Sequence, residues 1–247
     1  MRYIIGLLLV ALTGCATPAK HGGGESQAQR SAKIHAELGY GYYSQGQLAV
    51  SLEEFNESIR NDAGFALPYA GLGLVHAALN QDDLAESNFK RALQLDPQNS
   101  ETHNNYGAFL CSRNRVDESI KEFLSAVKNP LYATPEMAYL NAGVCALKKK
   151  DDKNAEAYLT NALQLQPSLR QAHFQLANLY FGKEDFYLAR QSLQRAMLNI
   201  DPTPDMLWLG VRIEKNLGGG DTEASYRMLL KNKYPDSPQT KAMLSGE

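Results

Sequence analysis

Apolar and small residues recur along most of the chain with the three- and four-residue spacing of amphipathic helices. The segment from Ala66 to Asn99 contains two such runs separated by a polar turn, and the neighbouring segments repeat this arrangement with a period of 34 residues. The recurring positions are those of Tyr69, Leu72, Gly73, His76, Ala85, Phe89, Ala92 and Pro97. Nothing alternates as a strand would, so the pattern predicts an all-α chain of repeated helix pairs.

This spacing resembles the tetratricopeptide repeat (TPR), which implies an all-α, right-handed superhelical solenoid. Thr134 and Pro135 form a two-residue insertion, and the run Gly218 to Gly220 is expected to lengthen the last turn and move the helix after it out of frame. A generic helical bundle is the alternative. We predict six helix-turn-helix repeats, at about 32–65, 66–99, 100–133, 136–169, 170–203 and 204–237.

Close packing explains the spacing within one unit. With Ala66 as position 1, small residues at positions 8, 20 and 27 let the two helices approach each other, and large residues at positions 4, 7, 11 and 24 fill the space between them. Proline near position 32 ends the second helix, because the residue before a proline is pushed out of the α region. A single unit cannot bury its own apolar face, so neighbouring units must stack.

The N-terminus has the features of an export signal. A short basic start is followed by an apolar run from Tyr3 to Leu12, which is shorter than the roughly 20 residues that a membrane-spanning helix needs. The sequence Leu12-Thr13-Gly14-Cys15 resembles the lipobox of bacterial lipoproteins, which implies cleavage before Cys15 and acylation of that cysteine. We therefore predict a lipoprotein signal peptide over 1–14. An ordinary signal peptide with an incidental Cys15 is the alternative.

The residues after the lipobox are small and polar and show no apolar period. We predict a flexible tether over 15–31 and a solenoid over 32–247. Lipoproteins retained at the inner membrane carry Asp after the lipidated cysteine, and Ala16 stands there in this chain. The resemblance therefore favours anchoring in the outer membrane.

The first helix of each TPR unit, helix A, lines the concave face of the solenoid, and its positions 2, 5, 9 and 12 face the groove. In this chain these positions are too apolar for a solvated surface and lack the row of Lys and Arg that TPR carboxylate clamps use. We predict a groove for an apolar or amphipathic segment of a partner protein. The four aliphatic residues among those expected to line it could instead be buried against the next unit. The expected lining is Tyr40, Tyr43, Leu67, Leu74, Asn104, Leu140, Val144, Phe174, Asn178, Phe181 and Trp208.

Composition and motifs narrow the function further. The net charge of −2 argues against a nucleic-acid-binding protein. The sequence has no HExxH pair, Walker loop or Gly-x-Ser-x-Gly turn, so we expect neither an enzyme nor a cofactor. His35, His103 and His173 all occupy position 4 of their units, which makes them structural residues rather than metal ligands.

Two cysteines remain after Cys15 is assigned to the lipid. Cys111 and Cys145 lie 34 residues apart, near the ends of helix A in two adjacent units. Close thiols in an exported protein tend to pair, and the bond would stabilise the fold by roughly 3–4 kcal/mol. Two buried, unbonded cysteines are the alternative, because packed helix axes lie about 8–10 Å apart and a disulfide needs Cα atoms within about 7 Å.

Several segments are more specific than the repeat itself. They resemble the type IV pilus biogenesis and stability lipoproteins of the PilF/PilW pilotin family over essentially the whole mature chain. The segments are Asn104-Asn105-Tyr106-Gly107-Ala108-Phe109-Leu110-Cys111, Asn141-Ala142-Gly143-Val144-Cys145, Trp208-Leu209-Gly210-Val211-Arg212-Ile213-Glu214 and Tyr234-Pro235-Asp236-Ser237.

The resemblance implies a monomeric, lipid-anchored outer-membrane protein that faces the periplasm. Pilotins help the pilus secretin to reach the outer membrane and assemble into a ring, and some members are described through pilus stability instead. The expected partner is therefore the secretin or another type IV pilus component. The alternative is a TPR lipoprotein scaffold for envelope enzymes or outer-membrane protein assembly, unrelated to pili.

Overall fold

A computed structural model describes residues 25–246, which form thirteen α-helices and contain no strand. Cys15, the predicted signal peptide and most of the predicted tether lie outside the described residues. The helices are α1 Gln27–Ser44, α2 Leu48–Asn61, α3 Leu67–Ala78, α4 Asp82–Leu95, α5 Ser100–Ser112, α6 Val116–Ala126, α7 Pro135–Lys148, α8 Asp152–Leu165, α9 Arg170–Gly182, α10 Phe186–Ala196, α11 Pro204–Leu217, α12 Gly220–Lys233 and α13 Pro238–Ser245.

The helices form six pairs arranged in two layers. Each odd-numbered helix from α1 to α11 is a helix A and packs against the even-numbered helix that follows it, its helix B. Each helix A also packs against helix A of the next unit, whereas within residues 25–246 no helix B packs against the next helix B. The array is therefore closer together on the helix A side, which makes the A helices the inner, concave layer of a TPR solenoid. Helix α13 packs on α11 and α12 and covers the end of the array.

The predicted contact between small and large residues is present in the structure. The Phe89 ring lies so close to Gly73 that a Cβ atom on that glycine would be 2.8 Å from the ring. The same contact, always between residues sixteen apart, joins Gly107 to Phe123 and Gly143 to Leu159. The three large side chains of these pairs are completely buried or nearly so. At these three glycines a larger side chain would force the facing side chain or the helix to shift.

The sixth unit follows the repeat more closely than we predicted. Tyr226 of α12 packs on Gly210 of α11 with the same sixteen-residue separation, so the aromatic ring of the second helix keeps its place. The turn itself is one residue longer than in the other units. Its left-handed residue, Gly218, follows Gly210 by eight residues, whereas the left-handed Asn80 follows Gly73 by seven. The expected loss of frame is thus limited to the turn.

The first helix begins earlier than the predicted end of the tether at Ser31. Ser26 caps α1 by accepting a hydrogen bond from the Gln29 backbone N–H at 3.1 Å, and the Gln29 side chain accepts one from the Ser26 N–H at 2.9 Å. This reciprocal capping box satisfies two backbone donors that would otherwise lack partners. The apolar period does not indicate this early start of α1, because most of the first turn of the helix faces solvent.

The core is a series of clusters, each shared by adjacent units. None of the helices within residues 25–246 is both long enough and apolar enough to cross a membrane.

Candidate functional site

The inner layer carries ten of the eleven predicted groove residues at or near the surface. Each of these ten is partly or largely exposed to solvent. The exception is Leu140, which is only 1% exposed and packs against Leu159 and Leu176. Its assignment to the groove is therefore wrong. Position 5 of helix A is also buried at Ala36 and Ala70, whereas Asn104 and Phe174 at the same position are half-buried.

At the N-terminal end of the groove, Tyr40 is held firmly in place. Its hydroxyl donates a hydrogen bond to the Leu67 carbonyl of the next unit at 3.1 Å. Its ring meets the edge of Phe55 with the ring centres 5.0 Å apart. Burial raises the pKa of Tyr40 well above its ordinary value, so the phenol stays neutral. Tyr40 thus links two units and presents only part of its surface to the groove, next to the half-buried Tyr43.

The centre of the groove is polar and crosslinked. The Asn141 Nδ2 group of α7 donates a hydrogen bond to Asn104 Oδ1 of α5 at 3.0 Å. Further along the same two helices, Cys111 and Cys145 form a disulfide with their Cα atoms 5.9 Å apart. Lys148 Nζ donates to the Cys111 carbonyl at 3.1 Å. Three links therefore join the inner helices of units three and four.

The C-terminal part of the groove is aromatic. The Arg212 guanidinium lies over the Phe181 ring, 4.3 Å from its centre, which is within cation–π range. Phe174 and Met206 contribute apolar surface to a concavity of about 480 Å³ at the edge of this region, and Gln171 lies at the same concavity. An opening of this size accepts an apolar side chain of a partner.

Trp208 belongs to the end of the solenoid. It is half-buried and packs against the cluster of Leu207, Leu230 and Met243, the last of which comes from α13. The terminal helix therefore fixes this side chain at the boundary of the groove. Phe181 and Arg212 lie further inside it.

The position-4 histidines form structural contacts, as their repeat position predicted. His103 Nδ1 lies 2.6 Å from a Glu122 oxygen and its Nε2 lies 3.1 Å from the Pro97 carbonyl. These two acceptors outweigh burial and raise the pKa of His103. His35 contacts Glu54 in the same way at 2.7 Å. Across residues 25–246 no group of three or more His, Cys, Asp and Glu side chains is arranged to hold a metal ion.

Three groove residues were missed by the sequence reasoning. Asn141 occupies position 6, which is outside the four positions we used, although it lies in a segment that carries the family resemblance. Arg212 and Met206 also lie outside those positions, at positions 10 and 4 of their unit when Gly210 is position 8. The four positions that we used were too few to include them.

Comparisons with known proteins agree with this architecture. Models of the tetratricopeptide repeat match residues 36–100, 88–121 and 138–169. The type IV pilus assembly protein PilF of Pseudomonas aeruginosa is 30% identical over 239 residues, which cover 95% of this chain and 94% of PilF.

Two solved structures are similar over most of their length. The crystal structure of PilW, described as a widely conserved type IV pilus biogenesis factor, superposes with a TM-score of 0.78 at 29% identity, covering 86% of this chain and 98% of PilW. A structure of P. aeruginosa PilF gives a TM-score of 0.81 at 25% identity, covering 90% of this chain and all of that one. With its six stacked TPR units and this match to PilF along nearly its whole length, the chain belongs to the PilF/PilW family of type IV pilus biogenesis proteins.

Proposed function

We propose that this protein is a pilotin, an assembly factor that holds a segment of the type IV pilus secretin in its inner groove. Bound in this way, the secretin would reach the outer membrane and assemble into multimers. The observation that carries the proposal is the inner face itself, an open strip of aromatic, aliphatic and amide side chains in a chain that matches PilF over 95% of its length. Such a surface suits a protein segment rather than a small substrate.

We propose that the protein is anchored through a lipidated Cys15 in the inner leaflet of the outer membrane, facing the periplasm. Two or more acyl chains hold a protein stably at a membrane, whereas one chain does not. The residues between Cys15 and the cap at Ser26 then set how far the solenoid stands from the lipid. In this proposal the protein acts as a monomer and needs no cofactor, because its part in assembly is to bind and deliver.

Binding can be tested with the lipid-free variant Cys15→Ser and purified periplasmic fragments of the secretin. We expect one fragment to co-purify, and Phe174→Glu to weaken its binding because the substitution removes the aromatic ring that lines the concavity and puts a charge where an apolar side chain of the partner would bind. Tyr187→Glu is the matched control, since Tyr187 is 73% exposed on the outer layer. If no fragment binds, or both variants bind like the parent, the groove does not hold the secretin.

Deleting the gene separates the proposal from its alternative. We expect loss of secretin multimers and of twitching motility, both restored by the parent gene and not by Cys15→Ser. Normal pili together with altered cell-wall hydrolysis or outer-membrane protein levels would instead indicate a scaffold for other envelope proteins. Normal secretin multimers with unstable pili would assign the protein to pilus stability.

A further inference from the structure

We infer that a basic cavity at the junction of units four and five binds an aspartate or glutamate side chain of the partner segment. The inference rests on the proposed function in one respect, that a partner segment lies along the C-terminal part of the inner groove. It adds the chemistry of that segment, an apolar and an acidic residue close together. The cavity has a volume of about 320 Å³ and is lined by Pro167, Ser168, Arg170, His173, Arg195, Leu198 and Asn199.

The cavity is cationic and has no counter-charge of its own. Arg170 is the first residue of α9 and Arg195 lies in the last turn of α10. None of the seven lining residues is acidic. Within residues 25–246 neither arginine forms an ion pair. A carboxylate fits such a site, because guanidinium groups bind it with charge-assisted, often bidentate hydrogen bonds.

His173 adds a ring nitrogen without a protein partner to the same cavity. The residue is only 8% exposed, and its Nε2 donates a hydrogen bond to the Pro167 carbonyl at 3.0 Å. Within residues 25–246 its Nδ1 has no hydrogen-bond partner. A carboxylate bound nearby favours a proton on that nitrogen, which then becomes a further donor.

Other units neutralise the same histidine with a carboxylate of their own. At position 4 of helix A, His35 of unit one and His103 of unit three contact Glu54 and Glu122 at 2.7 and 2.6 Å. Both glutamates occupy position 23, in helix B of the same unit. Unit five keeps the histidine but has Ser192 at position 23. The internal carboxylate is therefore missing only where the cavity holds two arginines.

The equivalent cavity of unit three also lacks those arginines. His103 and Lys128 line it, and Ser125 stands at position 26, where unit five has Arg195. Position 1 is Ser100 in unit three and Arg170 in unit five. Since unit three has the same helix pair without this charge, the fold does not require it. The excess positive charge of unit five is thus available for a ligand.

The basic cavity adjoins the apolar concavity of the groove. Ser168 and Arg170 line both, and Phe174 and Met206 lie on the groove side. A segment that places an apolar side chain in the concavity can therefore place a carboxylate in the basic cavity a few residues away. This continuity favours an acidic residue of a protein partner over the phosphate of a lipid headgroup.

The test uses two sets of probes on the lipid-free Cys15→Ser chain. The first is a set of 15-residue peptides that tile the periplasmic region of a type IV pilus secretin, and the second is a phage library of random 12-residue peptides. In each peptide that binds, every Asp and Glu is replaced in turn by Asn and Gln. Affinities are measured by fluorescence anisotropy for the parent, Arg195→Gln, Ser192→Glu and Arg91→Gln. Arg91 is the matched control, because it is an exposed arginine at position 26 of unit two, where position 4 is Tyr69.

We expect one acidic position at which the replacement weakens binding to the parent about tenfold, as for the loss of a hydrogen bond to a charged group. The same replacement should cost less than twofold on Arg195→Gln, because the partner of that carboxylate is already gone. Ser192→Glu should weaken binding of the acidic peptide although it removes no basic residue, since it restores the internal carboxylate of units one and three. Arg91→Gln should behave like the parent. The altered peptides on the unmodified protein give a measurement that does not depend on how well a variant folds.

The outcomes separate the two proposals. If secretin peptides fail to bind but library peptides bind and couple an acidic residue to Arg195, the secretin assignment falls and the basic cavity stands. If secretin peptides bind and no acidic position is coupled to Arg195, or if Arg91→Gln weakens binding equally, the inference is overturned and the secretin assignment stands. Binding to phosphatidylglycerol vesicles that is lost only in Arg195→Gln, with peptides unaffected, would assign the cavity to a lipid phosphate and overturn it. The absence of binders in both sets of peptides also overturns it.

Discussion

Units three and six use the same position of helix A in different ways. Four residues after the small residue at position 8, unit three has Cys111, which forms a disulfide with α7. Unit six has Glu214, which is only 3% exposed and accepts a hydrogen bond from Arg190 Nε of α10 at 2.8 Å. The centre of the groove is therefore fixed by a covalent bond, and the C-terminal unit is joined to the unit before it by an ion pair whose carboxylate is buried.

The two kinds of link stabilise the fold in different ways. A disulfide stabilises the chain mainly by restricting its unfolded state, whatever the pH or salt concentration. A buried ion pair stabilises the fold only while both partners are present, because either charge alone would be desolvated without compensation. Gly219 belongs to this arrangement, since a Cβ atom there would collide with the Glu214 carboxylate. The glycine run that we predicted to lengthen the turn of unit six also makes room for the pair.

The largest effect is expected from Arg190→Leu, which leaves the Glu214 carboxylate buried without its partner. We expect a loss of about 3–5 kcal/mol in the free energy of unfolding, measured by urea denaturation. The double variant Arg190→Leu/Glu214→Leu should recover much of this loss, because no isolated charge remains. If the single and double variants were equally unstable, packing rather than charge would hold this end.

The next effect tests the centre. Cys111→Ala/Cys145→Ala should lower the free energy of unfolding by about 3 kcal/mol, because it releases a loop of 34 residues. Hydrogen exchange should quicken in α5 to α7 and change little in α11 to α13. Dithiothreitol should destabilise the parent to a similar extent and leave the double variant unchanged. Two freely alkylated thiols in unreduced native protein would show that the bond does not form.

A smaller effect depends on pH and concerns the junction of units two and three. Arg115 contacts Glu86 at 2.5 Å, and this contact holds the pKa of the Glu86 carboxyl at about 2, against an ordinary value of 4.5. Because the folded pKa is depressed, the stabilisation is complete above pH 4.5 and is lost as the pH falls toward 2. We expect about 1–2 kcal/mol of this acid sensitivity to disappear in Glu86→Gln. The measurement is the free energy of unfolding in urea at pH 6 and at pH 3 for both proteins. If the difference between the two pH values were the same in Glu86→Gln as in the parent, the prediction would be wrong.

The two regions also show how far the sequence could lead. The repeat, the layer of A helices and the contact between Gly73 and Phe89 follow from spacing alone, because each depends on residues within one unit or its neighbour. The burial of Leu140 and the bond between Asn104 and Asn141 depend on how far one unit rotates relative to the next, which no spacing encodes. Glu214 and Arg190 lie in different units, and Gly219 in the irregular turn after α11 makes room for their contact. The pair does not recur in the other units, so it gives no periodic signal in the sequence.

The smallest effect compares the turns of units four and six. Lys150 has φ +59° and Gly218 has φ +71°, so both adopt the left-handed conformation, which costs a non-glycine residue about 1–2 kcal/mol. Glycine removes that cost from the folded state. It also increases the conformational entropy of the unfolded chain, which offsets part of the gain in stability. We therefore expect Lys150→Gly to stabilise the protein by about 0.5–1 kcal/mol and Gly218→Lys to destabilise it by a similar amount.

Lys153→Gly is the matched control for this comparison, because Lys153 lies in the first turn of α8 and glycine is unfavourable inside a helix. The same substitution three residues apart should therefore change the melting temperature in opposite directions. A lower melting temperature for both variants would mean that the Lys150 side chain, and not its backbone conformation, determines the stability of the turn between α7 and α8. The regular turns would then differ from the glycine turn of unit six in what they contact as well as in where they lie.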